Sequence, residues 1–103
     1  MSDVPVRLRA IEVDATTIAL DGEIDAHTAP DLAARYAELP DGDGEFAIDM
    51  SKVAFMDSSG LRVIIELHQR AEQASRRLVV LAPSQPVARL FEVSGLTGHL
   101  HVR

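Results

Sequence analysis

The residues best placed to do chemistry are Asp57-Ser58-Ser59-Gly60-Leu61. They lie where an apolar run, Phe46 to Met56 with Ser51-Lys52 in its middle, gives way to apolar residues at helical spacing. That junction is the start of a helix. The first N–H groups of a helix have no partner within it and carry partial positive charge, so such a point can hold an anion. Asp57 and Ser58 are also favoured helix caps, worth about 1 kcal/mol, and capping is their plainest role. Ser58 is the first candidate for receiving a phosphate and Ser59 the second, although a hydroxyl in the first turn commonly just faces solvent or backbone. Gly60 leaves room for a close backbone approach, at a helix propensity cost of about 1 kcal/mol.

Other chemistries lack their parts. A nucleophilic serine needs a base, yet His68 stands ten residues beyond Ser58 on the same helix, about 15 Å along its axis. Met56-Asp57-Ser58-Ser59-Gly60 lacks the first glycine of a nucleophile elbow. Asp41-Gly42-Asp43-Gly44 is too short for a calcium loop, and there is no Walker-type phosphate loop. His27, His68, His99 and His101 show no metal-ligand spacing and read as solvated. No catalysis, cofactor or metal is expected.

The chain has 103 residues, enough for one domain over residues 1–103, and 47% of them are apolar, enough for a packed core. It contains no cysteine and no apolar run of membrane-spanning length, and its N-terminus, MSDVPVRLRA, lacks the apolar stretch of a signal peptide. A cytoplasmic protein without a membrane partner is expected. Sixteen acids against ten bases leave a net charge of −6, the wrong sign for nucleic acid.

The elements that would position the junction follow from periodicity. Val4 to Val13 alternates as a strand, and Thr16 to Leu20 is a β-branched second strand, joined to the first as an antiparallel hairpin. Asp21-Gly22-Glu23 ends it. Thr28-Ala29-Pro30-Asp31 opens a helix capped by Thr28, with Leu32, Tyr36 and Leu39 as its apolar stripe. Phe46 to Met50 is the third strand; a helix starts near Ser58 with Leu61, Ile64 and Ile65 inward; Leu78 to Ala82 is a strand apolar on both faces. Ser84 to Val93 is a third helix closed by Gly95, and His99 to Val102 a last short strand. The order predicts an α/β domain with a mostly parallel sheet. In such a sheet the loop before the first helix opens at the same end as the Asp57 loop. Glu23, Asp25, His27 and Thr28 are therefore expected to border Ser58, as loop polarity and caps or as contacts to a partner.

Three segments together resemble a STAS domain, specifically a bacterial anti-anti-sigma factor: Gly22-Glu23-Ile24-Asp25, Phe55-Met56-Asp57-Ser58-Ser59-Gly60-Leu61, and Leu90-Phe91-Glu92-Val93-Ser94-Gly95-Leu96. The resemblance implies a mostly parallel sheet of about five strands with helices mainly on one face. It implies phosphorylation of the serine after the aspartate, here Ser58, and a partner surface of Glu23, Asp25, His27, Thr28, Asp57, Ser58, Ser59, Gly60, Leu61 and Arg62. The implied partners are an anti-sigma factor with GHKL-type serine kinase activity and a serine phosphatase. The protein itself is then a substrate and not an enzyme, and a monomer when free. Arg62 stands where many members have a glycine, and the chain stops at Arg103, short of a C-terminal helix that many members carry. Two other readings are a STAS interaction module of a stress-signalling scaffold or transporter, without a phosphoswitch, and a nucleotide binder or weak hydrolase using the same helix start.

Overall fold

The computed structural model describes residues 7–103. The elements are β1 (Leu8–Asp14), β2 (Thr17–Ile24), α1 (Ala29–Arg35), β3 (Glu45–Met56), α2 (Ser58–Gln73), β4 (Arg77–Leu81), α3 (Gln85–Val93) and β5 (His101–Val102). The strands form one sheet in the order β1-β2-β3-β4-β5. β1 is antiparallel to β2 across a tight turn in which the Asp14 carboxylate accepts from the Thr16 amide at 2.8 Å. Every other neighbouring pair is parallel. Each crossover steps one place in the same direction, and because such crossovers are right-handed, α1, α2 and α3 fall on the same side. The predicted fold class, a mostly parallel five-stranded α/β sheet with helices mainly on one face, is the one observed.

Period-two alternation builds the core. Phe46, Ile48 and Met50 of β3 point to one face, with Leu78 and Val80 of β4 beside the first two in register. Ile64, Leu67 and Ala71 of α2, Leu32 of α1, and Val87 and Phe91 of α3 close over them in one continuous cluster.

Several boundaries differ from the sequence expectation, each for a physical reason. The predicted first strand began at Val4; residues 1–6 lie outside the described residues, and β1 is observed from Leu8. β2 runs on through Asp21-Gly22-Glu23 to Ile24. Gly22 permits this: its φ is +127°, and a Cβ there would lie 2.0 Å from the Arg7 carbonyl oxygen. β3 continues six residues past Met50, absorbing Ser51-Lys52 and Ala54 as register shifts against β2. α1 stops at Arg35, and Tyr36 caps its end. The expected stripe holds for Leu32 and Tyr36, both buried, while Leu39 packs on the core from beyond the helix. Arg76, which marks only a strand entry in the sequence, is buried: its guanidinium lies 4.9 Å from the Phe46 ring centroid and donates to the carbonyls of Pro40 and Gly44. β5 is two residues long and excludes His99.

Candidate functional site

The start of α2 is capped by Asp57, not by Ser58. Asp57 has extended backbone geometry, and its Oδ1 accepts from the amides of Ser59 at 2.8 Å and Gly60 at 3.4 Å. Its own amide donates to the Ile24 carbonyl at 3.1 Å, tying the β3–α2 turn to the end of β2. The anion niche anticipated at this helix start is thus already filled by a carboxylate of the chain itself.

Ser58 is the first residue of the helix and is exposed. Among the described residues its hydroxyl has no hydrogen-bond partner. It opens onto a shallow groove between α1 and α2 lined by Ala26, Ala29, Pro30, Ser59 and Arg62. Arg62 is exposed and four residues on, one turn along the same face. Ser59 is half-buried in the same groove.

Gly60 is buried for a different reason from the one its position in the sequence suggests. A Cβ there would meet Ile24 Cγ2 at 2.6 Å and Met56 Cγ at 2.7 Å, so its smallness lets α2 sit down on the strand ends. Leu61 is likewise buried and belongs to the core.

The loop before α1 does open at this end of the sheet, but its polar residues divide. Thr28 is 7% exposed. Its hydroxyl donates to the Glu23 carbonyl at 2.8 Å and accepts from the Asp25 amide at 2.9 Å, and it makes no cap bond into α1. Asp25 Oδ1 instead closes the turn that precedes α1, accepting from the amides of His27 at 2.9 Å and Thr28 at 3.2 Å, and α1 has no side-chain cap at its start. Arg7 bridges the Asp25 carboxylate and Glu23, the latter at 2.8 Å. Desolvation pushes the Asp25 carboxyl up, but the two amides and the Arg7 charge outweigh it, so Asp25 ionises below the usual carboxylate range. His27 is exposed. Of the loop candidates, Thr28 and Asp25 hold the loop's shape, while Ala26, Ala29 and Pro30 form the far wall of the groove.

One surface residue escapes sequence reasoning. Phe55 is 47% exposed although it sits in the apolar run VAFM. The register shift between Gly22/Val53 and Glu23/Phe55 is what turns it out. It stands two residues before Asp57, and two consecutive shifts in one strand leave no trace in a period-two pattern. The histidines are a second departure: His68 and His101, which show no metal-ligand spacing in the sequence and read there as solvated, are brought together with Glu72.

An α/β domain with this strand order, a hairpin edge and a serine at the start of its second helix defines the class. The family described as Mlab, STAS domain, matches residues 8–102, and the chain belongs to the STAS-domain family. The anti-sigma-B factor antagonist of Listeria monocytogenes serovar 1/2a is 30% identical over 103 residues, covering 98% of this chain and 90% of the relative. Among solved structures, the anti-sigma factor antagonist SpoIIAA in its unphosphorylated form superposes with a TM-score of 0.70 at 22% identity, covering 93% of this chain and 87% of that one. The Bacillus cell fate determinant SpoIIAA in the phosphorylated form gives 0.65 at 21% identity, over 93% and 90% of the two chains. These two likenesses establish the fold. No helix among the described residues is long and apolar enough to cross a membrane.

Proposed function

We propose that this chain is an anti-anti-sigma factor: unphosphorylated, it binds an anti-sigma factor and releases a sigma factor, and phosphorylation at Ser58 ends that binding. The observation that carries the reading is the division of labour at the helix start. Asp57 does the capping, which leaves an exposed hydroxyl with no structural duty in the position where the family resemblance puts the switch. The names of the curated relatives point to the same activity.

The switch works through the surface and not through the fold. A phosphate adds about −1.5 to −2 charges at pH 7. The amides of Ser59 and Gly60 are already taken by Asp57, so among the described residues the phosphate is left with the Ser58 amide and the Arg62 cation one turn along. It would sit beside the Asp57 carboxylate in a groove that the partner has to dry out, and both repulsion and desolvation oppose docking. The unmodified surface offers a partner the exposed Phe55 ring, the apolar wall of Ala26 and Pro30, and the Arg62 cation. The partner is an anti-sigma factor with GHKL-type serine kinase activity, which must approach Ser58 to modify it, and a serine phosphatase resets the cycle. The chain acts in the cytoplasm as a substrate and not as an enzyme, and is monomeric when free.

The test is an intact-mass comparison of the protein from its native cells before and after phosphatase treatment, with fragmentation to place the modification. A single phosphate on Ser58 is the expected result. A phosphate on Ser59 moves the switch by one residue. Absence of phosphate in both resting and stressed cells removes the switch and leaves a constitutive STAS interaction module.

A further inference from the structure

At the far end of α2, about 20 Å along the helix from Ser58, three side chains from two elements converge. His68 and Glu72 are one turn apart on α2, and His101 lies on the edge strand β5. His68 Nε2 is 3.7 Å and His101 Nε2 is 3.3 Å from the same carboxylate oxygen, Glu72 Oε1. The two imidazole rings are tilted by 50° with centroids 5.5 Å apart. We propose that His68, Glu72 and His101 form a binding site for one divalent transition-metal ion of the zinc class, which staples the end of α2 to the edge strand.

The geometry carries this. Zinc–nitrogen and zinc–oxygen bonds of about 2.0–2.1 Å at tetrahedral angles place neighbouring donor atoms about 3.4 Å apart. The two nitrogen–oxygen separations already bracket that value, and all three donors lie within 4.8 Å of one another. One carboxylate oxygen is faced by two imidazole nitrogens, and each nitrogen can offer a lone pair to a shared cation. Two neutral imidazoles and one carboxylate are a borderline-soft donor set, suited to zinc and poorly suited to magnesium or calcium. The last turn of α2 also presents the negative end of the helix dipole, which favours a cation there. Arg103, two residues beyond His101, is engaged by Glu45 at 2.7 Å between Nη2 and Oε2 and so is drawn off the site. Three protein donors leave a fourth position for water, and the carboxylate side chain is half-exposed, so an ion has a way in.

The test titrates zinc chloride into the untagged full chain by calorimetry near neutral pH. One ion per chain with micromolar affinity is expected, with a rise in Tm on saturation, because the ion binds the folded chain alone. Affinity falls as the pH is lowered, because metal binding needs the imidazole nitrogens free of protons. His101→Gln and Glu72→Gln, both at accessible side chains, are each expected to weaken binding by about tenfold or more. His68→Gln belongs to the same set, and the other two variants carry the test if it folds poorly. No heat with millimolar zinc overturns the site. So does undiminished binding in His101→Gln and Glu72→Gln, which places the ion elsewhere, and so does equal binding of magnesium.

Discussion

Asp57 and Ser58 are neighbours with opposite obligations. Asp57 supplies the only side-chain cap at the start of α2, so Asp57→Ala is expected to cost about 1 kcal/mol in urea unfolding. Ser58→Ala removes an exposed, unbonded hydroxyl and is expected to shift the same measurement by less than about 0.5 kcal/mol. It should leave a chain that binds the anti-sigma partner constitutively, whereas Ser58→Asp should bind weakly in a pull-down against that partner. Wild-type affinity in Ser58→Asp would count against the phosphoswitch. Gly60→Ala is the sharpest structural test at this scale. The added methyl has contacts of 2.6 and 2.7 Å to relieve, and a loss of about 1–3 kcal/mol is expected from overpacking. The residue types were legible here: an acid and two serines before a helical pattern announce a helix start. Which of them caps was not, because Asp and Ser have nearly equal preference for that position and only the backbone geometry decides.

At the scale of elements, β3 matters most. Its register shifts against β2 let one strand serve two ends: the first half pairs with β4 in the core, and the second half turns Phe55 out to solvent, three residues before Ser58 in the chain. Phe55→Ser is expected to weaken partner binding while changing Tm little, since a half-exposed ring contributes less to folding than a core one. Equal partner affinity in isothermal titration would remove Phe55 from the docking surface. The element order, the antiparallel first pair and the parallel remainder were readable from the sequence, because strand and helix periods alternate cleanly and each loop carries its turn residues. The lengths of β2 and β3 were not. Asp21-Gly22-Glu23 and Ser51-Lys52 have turn composition, yet the cross-strand ladder accommodates both, one through a positive-φ glycine and the other through bulges. The cluster of His68, Glu72 and His101 was also out of reach, since a contact across 29 residues between Glu72 and His101 depends on where β5 docks.

The whole molecule is held by one core and trimmed by ion pairs around its rim. Among the described residues, three carboxyls ionise below their ordinary range. The Thr16 amide lowers Asp14. Desolvation raises Asp25, but the amides of His27 and Thr28 and the Arg7 charge lower it further. The Arg103 guanidinium lowers Glu45. A carboxyl whose folded pKa is depressed adds stability above its unfolded pKa, about 3.9 for Asp and 4.3 for Glu, and that stability is lost as pH falls through the folded value. The fold is therefore expected to hold a flat Tm from neutral pH to about pH 5 and to lose stability below about pH 4, followed by circular dichroism. Glu45→Gln should blunt the acid loss; an unchanged acid limb would remove the Arg103 pair from the account. Burial pushes the Tyr36 hydroxyl the other way, up to about 12. Its stabilising effect is complete below the unfolded pKa of about 10 and lost as pH rises through the folded value, so the alkaline limit should lie above about pH 10.

The separation of capping from the proposed modification at the start of α2 bears on how long the protein lives. If Asp57 alone secures the helix, adding or removing a phosphate on its neighbour leaves the population of unfolded chains nearly unchanged. Proteases that cull unfolded molecules then remove both forms at the same pace. If Ser58 is the switch proposed above, the cellular amount of the protein is expected to stay constant while the fraction competent to bind swings, and a measurement of abundance would carry no information about which state the cell is in.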